Sequence, residues 1–287
     1  MSSHRIRNIS KSVNPVFKIG QLLKLKELFD KHHWHIDESL ELSYFERYVR
    51  TLSRLQEEQQ NFIIKLSERF LHLPQADYPM CLVKSIKHLR EEHMDDNLLL
   101  ACCLPKSDIG KVKSSMAVLY QFKGTTIKSQ VDLGKHYVIE SFTPATIAHI
   151  NVDKSHFVLV DDFVGTGETA KGAIDYIHEL FPALSDNKRI SILSIVAMKE
   201  GIDAITATGA TVYASIICKR GISDYYRGEE LVNAKDTMEA IEQRLKKLKP
   251  EFHFGYGQSE ALVCMERCPN NTFPIYWYTK HDAPYER

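Results

Sequence analysis

"FVLVDDFVGTGETAKG", Phe157 to Gly172, carries four apolar residues into two adjacent aspartates and then into a loop of Gly, Thr and Glu. An apolar run without polar alternation predicts a strand buried on both faces, here Phe157 to Val160. Asp161 to Glu168 then reads as a loop, and Thr169 as the start of a helix. Gly165 and Gly167 let backbone N–H groups turn inward. The helix directs further N–H groups and its positive dipole end to the same point. Thr166 and Thr169 add hydroxyl donors, which makes a cup for a phosphate. Two carboxylates beside that cup repel an anion unless a sugar or a cation comes between. Asp161 and Asp162 can accept from ribose hydroxyls or hold Mg²⁺ through water. A phosphorylated ribose satisfies both halves of the stretch.

Outward from it, strands alternate with helices. "NLLLACCL" reads as a buried strand, "KSSMAVLYQF" as a helix, "ISILSIVAM" as a strand, "IDAITAT" as a helix ended by Gly209, and "TVYASII" as a strand. That alternation predicts an α/β fold with a mainly parallel sheet covered by helices on both faces, whose ligands bind at the carboxyl ends of the strands. From Glu41 to Leu73, by contrast, apolar residues recur at three- and four-residue spacing amid Glu, Gln, Lys and Arg, and "CLVKSIKHLREEH" continues the pattern after Pro79. Residues 1–94 are therefore expected as a helical extension and 95–287 as the α/β domain. The domain would close with "GYGQSEALVCMERCPNNTFPIYWY" as two short strands around a turn.

A chain of 287 residues, 44% hydrophobic and 26% charged, has the composition of a soluble globular protein large enough to bury its own core. Thirty-seven basic residues balance thirty-seven acidic ones, so no global field draws it to nucleic acid or anionic lipid. No window approaches a membrane span, and six cysteines without a CxxC pair suit a reducing compartment, so a cytoplasmic protein is expected. Composition leaves open whether the N-terminal helices pack on the domain, pair two copies as a homo-oligomer, or dock a partner protein.

Competing motifs are weaker. "GTGETA" fits a loose dinucleotide fingerprint, but the next strand ends well beyond the acid such a site needs, and two aspartates would face the pyrophosphate. No Gly-Lys-Ser/Thr follows the glycines, so a P-loop fails. "KHHWH" at Lys31 to His35 reads as a helix end around a packed Trp34, and Cys264 with Cys268 as buried thiols rather than half a zinc site. Asn270 and Asn271 are expected to cap a turn. In "KRGISDYYRG", Tyr225 or Tyr226 is a candidate for stacking and Arg220 or Arg227 for phosphate.

"FVLVDDFVGTGET" resembles the phosphoribosylpyrophosphate signature of the type I phosphoribosyltransferases. The resemblance implies that Asp161 and Asp162 contact the ribose hydroxyls and that Gly165, Thr166, Gly167, Glu168 and Thr169 bind the 5′-phosphate. Phe163 and Gly165 depart from the family's usual smaller choices. Such enzymes also need a loop after an earlier strand for pyrophosphate. "LPKSDIGKVKSS" follows "NLLLACC", with Lys113, Ser114 and Ser115 as its candidates. The region from about Leu98 onward resembles the divergent PRTase-CE branch through DDFxGTG, "GKVKSS" and "GYGQSEALV…CPNNTFPIYW". That branch implies a setting in bacterial conflict, antiphage or retron loci and a partner protein or ribonucleoprotein of such a locus. The implied reaction is displacement or cleavage at ribose C1 of phosphoribosylpyrophosphate or a nucleotide, with Mg²⁺. The segment from Lys123 to His149 would hold the mobile catalytic loop, with Lys128, Lys135 and His136 as candidates. A non-catalytic nucleotide sensor on the same fold is the other reading.

Overall fold

The computed structural model describes residues 18–36, 43–140, 142, 146, 148, 151, 154–184, 186–278 and 283–285. In chain order the elements are α1 (Ile19–Lys31), α2 (Tyr44–Leu52), α3 (Glu57–Ser67), β1 (Leu71–His72), α4 (Tyr78–Glu92), β2 (Asn97–Cys102), α5 (Ser114–Gln121) and α6 (Thr125–Gln130). Next come β3 (His136–Ile139), β4 (Ser155–Val164), α7 (Glu168–Leu180), β5 (Ile190–Met198), α8 (Lys199–Thr206), β6 (Thr211–Cys218), α9 (Gly228–Glu242) and β7 (Val263–Cys264). They fall into two units: Leu73–Lys219, and Met1–His72 together with Arg220–Arg287.

Leu73–Lys219 is built on a five-stranded sheet in the order β3-β2-β4-β5-β6, with every neighbouring pair parallel. All nine residues of β5 are buried, as a strand covered on both faces requires. Strand β4 shows how the faces divide. Phe157 and Leu159 pack with Ala170, Ala173 and Ile174 of α7, whereas Asp162 meets Ser114 of α5 on the other side. The chain leaves β2 for the outer strand β3 and returns to β4 on the opposite flank. The carboxyl ends of β2 and β4 therefore border the point where strand order reverses, the usual ligand crevice of such sheets.

Strand β4 continues past the aspartates: Phe163 pairs with Val196 and Val164 with Ala197. Phe163 and Val164 suit a pleated strand, and Val164 is buried, so the acids lie within the strand. The loop shrinks to Gly165–Gly167, and the helix starts at Glu168. Helix α4 also differs in its allegiance, since it packs on β5 and β6 within the sheet unit.

At the amino end of the sheet, His156 of β4 is buried against His93, with ring centroids 3.8 Å apart. Burial first, and His93 second, push its pKa down to about 4.

In the other unit the periodic stretch, described from Ser43, forms two helices followed by β1. α2 ends at Leu52, and Gln56 opens α3 through a reciprocal capping box with Gln59. The apolar stripe of α1–α3 shares one core with the C-terminal segment. Phe29, Tyr48 and Phe70 pack with Tyr276, Trp277 and Tyr285, including a stacked Phe70–Tyr285 pair at 4.9 Å. The helices are thus not an appendage to an independent C-terminal domain, which explains why the units do not part at residue 94. The expected C-terminal strand pair is also different. Val263–Cys264 pairs in parallel with Leu71–His72, and Ala261 bridges Thr272. Gly255, at φ 79°, packs so closely on Asn271 that a Cβ would fall 1.9 Å from its carbonyl oxygen, and this contact replaces a hairpin ladder. Asn271 Nδ2 donates to Ser259 Oγ at 2.8 Å and to Tyr256 O at 3.2 Å, so its side chain ties the C-terminal turn to the Tyr256–Ser259 segment rather than capping its own turn. All six cysteines are free thiols, with Cys264 and Cys268 buried. Among the described residues, no helix is long and apolar enough to cross a membrane.

Candidate functional site

The site is assembled from the carboxyl ends of β2 and β4. Gly167 caps α7 in the left-handed region, at φ 83°, and has no side chain to accept from the first-turn N–H groups of this 13-residue helix. Thr166 Oγ1 lies 3.5 Å from the Glu168 N–H, and Lys171 N–H donates to Gly167 O at 2.9 Å. Thr169 and the Glu168 side chain are exposed at the same end. The backbone therefore presents the positive end of the helix, while the Glu168 carboxylate offsets part of that field.

Beside this cup the two aspartates touch each other. Asp162 N–H donates to Asp161 Oδ1 at 3.0 Å, and Ser114 Oγ donates to Asp162 Oδ1 at 2.7 Å. Desolvation, then the charge of Asp162 and a hydrogen bond between the carboxyl groups, hold Asp161 well above the usual carboxylate range, with Lys113 opposing. The pair resists carrying two charges, and a cation or a hydroxyl donor would relieve it.

The loop after β2 supplies the positive side. Lys113 Nζ lies 2.6 Å from Asp108 Oδ2 and Lys111 Nζ 2.8 Å from Asp108 Oδ1. Hydrogen bonds from Lys111 and Lys113 hold the Asp108 carboxyl below its ordinary value. One carboxylate thus tethers both lysines beside the acids. Ser114 is exposed at the start of α5 and reaches the acid pair, whereas Ser115 is buried on the core face of the same helix. Gly172 brings α7 against this loop, where a Cβ would lie 2.9 Å from Pro105 Cβ.

A cavity of about 310 Å³ lies next to the loop, lined by Cys102, Ile109, Met116, Phe142, Tyr176 and Ile177 among others, with Glu140 and Lys111 as its charged groups. Neither the two aspartates nor the cup residues line it. The segment meant for a mobile catalytic loop contains α6 and β3. There Lys128 Nζ donates to Lys123 O at 3.1 Å, and His136 Nδ1 sits 3.0 Å from Gly134 O. The rest of that segment, 141 and most of 143–150, lies outside the described residues.

The PRTase-CE family profile matches residues 54–287, most of the chain. The chain belongs to the PRTase-CE family. No curated protein matches it. In this PRTase-CE chain the carboxylates of Asp161 and Asp162 are the hard oxygen donors that suit Mg²⁺, which is commonly held by one or two carboxylates plus substrate oxygens. Two carboxylates in contact, with Asp162 N–H donating to Asp161 Oδ1 at 3.0 Å, are the donor set that fits such a cation.

Two residues of this PRTase-CE site escape motif reading. Gly201, in the first turn of α8, meets the cup directly, for a Cβ there would fall 2.1 Å from Gly165 O. Its sequence signal, a glycine in "MKEGID" just after a strand, says nothing of that partner. Asp108 is the other, and only the folded loop shows that Lys111 and Lys113 converge on it. The "KRGISDYYRG" candidates are engaged elsewhere. Arg220 bonds Asp224, Arg227 donates to Ser223 O and Tyr226 O, and Arg69 stacks on Tyr225 at 4.2 Å.

Proposed function

We propose that this protein binds phosphoribosylpyrophosphate, or a nucleotide containing ribose 5-phosphate, together with Mg²⁺ at the reversal point of the sheet, and acts at ribose C1. The observation that carries the reading is the link from Ser114 Oγ to Asp162 Oδ1, which ties the end of the lysine loop, where α5 begins, to the acid pair beside the phosphate cup. The 5′-phosphate takes the N–H groups around Gly165–Thr169. The ribose hydroxyls donate to Asp161 and Asp162. The pyrophosphate meets Lys113 and the start of α5.

In the reaction, the C1–O bond breaks with its electron pair leaving on pyrophosphate. The acceptor's lone pair forms the new bond to C1 and the acceptor gives up a proton. When bound, Mg²⁺ supplies charge neutralisation for the departing pyrophosphate. The residues of the chain contribute position and electrostatic stabilisation rather than a nucleophile. The apolar cavity beside the lysine loop has the size of a small ligand site and is the natural place for the acceptor.

A sensor that binds the same ligand without turnover is a second reading, favoured by Asp162 being only 6% exposed and by both lysines being spent on Asp108. The family resemblance supports an antiphage or retron setting for either. A partner protein or ribonucleoprotein, or a second copy, would then use the outer face of α1, where Ile19 and Leu23 are exposed.

Thermal unfolding with phosphoribosylpyrophosphate and Mg²⁺, on the wild type and on Asp161→Ala with Asp162→Ala, tests the site. Ligand at a hundredfold over its dissociation constant adds about 2.7 kcal/mol to the wild type and little to the double variant. An unshifted wild type overturns the ligand. A shift without pyrophosphate release in the presence of nucleobases or nucleotides selects the sensor.

A further inference from the structure

A second cluster of metal-ligating side chains lies at the opposite end of β4 from the acid pair. His93 caps the C-terminus of α4, Asp96 ends the turn into β2, and His156 is the second residue of β4. One ligand atom from each lies within 4.8 Å of the others. Along the strand, His156 and Asp161 are separated by roughly 17 Å at about 3.3 Å per residue, so this cluster takes no part in chemistry at the ribose.

We propose that His93, Asp96 and His156 hold a borderline divalent metal of the zinc class, linking the α4–β2 turn to the central strand. Two imidazoles and one carboxylate select zinc, cobalt or nickel over Mg²⁺ and Ca²⁺, which prefer all-oxygen shells. A water completes the tetrahedron.

Three features outside the ligands favour this assignment. His156 Nε2 is 2.7 Å from Ser191 Oγ, an outer contact that orients the ring and leaves Nδ1 for the metal. The turn is fixed independently of any ion, because the Arg90 guanidinium donates to the carbonyls of His93 at 2.7 Å, Asp96 at 3.2 Å and Met94. The cluster also sits at the C-terminus of a 15-residue helix, whose negative dipole end favours a cation. Arg90, directed into those carbonyls, and Arg189, which acts on His156, are the nearby positive charges that the ion must outweigh. At present His93 Nδ1 and Asp96 Oδ2 are hydrogen-bonded at 3.1 Å. Tetrahedral zinc with bonds of about 2.0–2.1 Å places donors about 3.4 Å apart, so donors that lie within 4.8 Å of one another need to close by no more than roughly 1.4 Å, within reach of side-chain rotation.

The full-length protein, stripped with a chelator and dialysed, is titrated with Zn²⁺ and with Co²⁺. One equivalent of tightly held zinc, a rise in Tm, and a cobalt spectrum without thiolate-to-metal charge transfer are expected. Asp96→Asn keeps the size of the side chain, and His93→Gln leaves the buried His156–Ser191 pair intact. Each should weaken binding at least tenfold while the metal-free Tm stays near that of the metal-free wild type. Absence of stoichiometric zinc at micromolar concentration overturns the proposal. So does unchanged affinity in both variants, and so does a thiolate spectrum, which would put the ion on the cysteines.

Discussion

Replacing Gly201 by Ala tests whether helix α8 sets the shape of the phosphate cup. The added Cβ would stand 2.1 Å from Gly165 O and 3.0 Å from Val164 Cγ1. Val164 is locked in β4 by its pairing with Ala197, so the strand has little room to retreat. The Gly165 carbonyl must move by about 1.3 Å to reach an ordinary contact of 3.4 Å, and it carries Thr166 and Gly167 with it. Overpacking of this kind costs about 1–3 kcal/mol of stability. A displacement of about 1 Å at a positioned catalytic site is worth on the order of a hundredfold in rate, and a comparable loss in binding is about 2.7 kcal/mol. Gly201→Ala is therefore expected to remain folded with a lowered Tm and to bind phosphoribosylpyrophosphate with Mg²⁺ about a hundredfold more weakly. Gly20→Ala is the control, since a Cβ there meets nothing within 4 Å. Denaturant unfolding and calorimetric titration of both variants provide the two readouts. If Gly201→Ala matches the wild type in stability, the close approach of α8 to the cup is refuted whatever the ligand. If it loses stability but binds normally, the cup is not where the phosphate sits.

Ser114→Ala removes the 2.7 Å donor to Asp162, a hydrogen bond to a charged group worth about 1.5–3 kcal/mol, and should lower the Tm without weakening ligand binding, because the ribose hydroxyls take its place on Asp162; a tenfold loss of affinity in calorimetric titration would mean that the Ser114 hydroxyl itself holds the ligand. Burial pushes Glu242 up to about 8, against the partial relief of its bonds from Phe254 N–H. Its folded pKa exceeds the unfolded one, so the native state holds the extra proton and stability falls as pH rises from about 4.5 to 8. The loss is on the order of a few kcal/mol. Glu242→Gln should flatten that slope in denaturant unfolding at pH 5 and pH 8, and an unchanged slope would assign it to other groups. Glu260 accepts from Ile222 N–H at 2.8 Å, Ser223 N–H at 2.6 Å and the Ser223 hydroxyl while itself buried. Glu260→Ala strands these donors and is expected to destabilise by about 3 kcal/mol, whereas a loss under 1 kcal/mol would mean that water replaces the carboxylate.

What was legible in the sequence tracks how local its physical cause is. "ISILSIVAM" reads as a strand with its exact limits because Ile190–Met198 is buried on both faces, so every residue signals the same state. The parallel sheet follows from such runs alternating with helices. The end of β4 misleads because paired charge and glycines look like a turn, yet Phe163 and Val164 still find partners in β5. Partner strands are not written in the local pattern. The grouping of α1–α3 with the C-terminal segment is illegible for the same reason. Phe70 and Tyr285 stack across more than 200 residues, and periodicity reports that a face is buried without saying against what.

The candidate site divides along the same line, and that division bears on its chemistry. Asp161, Asp162 and the glycine loop are contiguous, so their order alone predicts a sugar phosphate. What decides whether they can act is supplied from a distance: Ser114 on Asp162, Asp108 under the two lysines, and Gly201 beneath the cup. The first two contacts satisfy groups that, on the proposed reading, a ligand would use. On that reading, ligand entry exchanges them, with ribose hydroxyls donating where Ser114 does and pyrophosphate oxygens competing with Asp108 for Lys113. An exchange gains less than filling an unsatisfied site would, because each group leaves one partner as it takes another. On the proposed reading the site is held in register by groups of the same chemical kind as the ligand. Removing a stand-in such as Asp108 should loosen the loop while freeing its lysines. That pair of opposed effects separates positioning from charge in the affinity of this site.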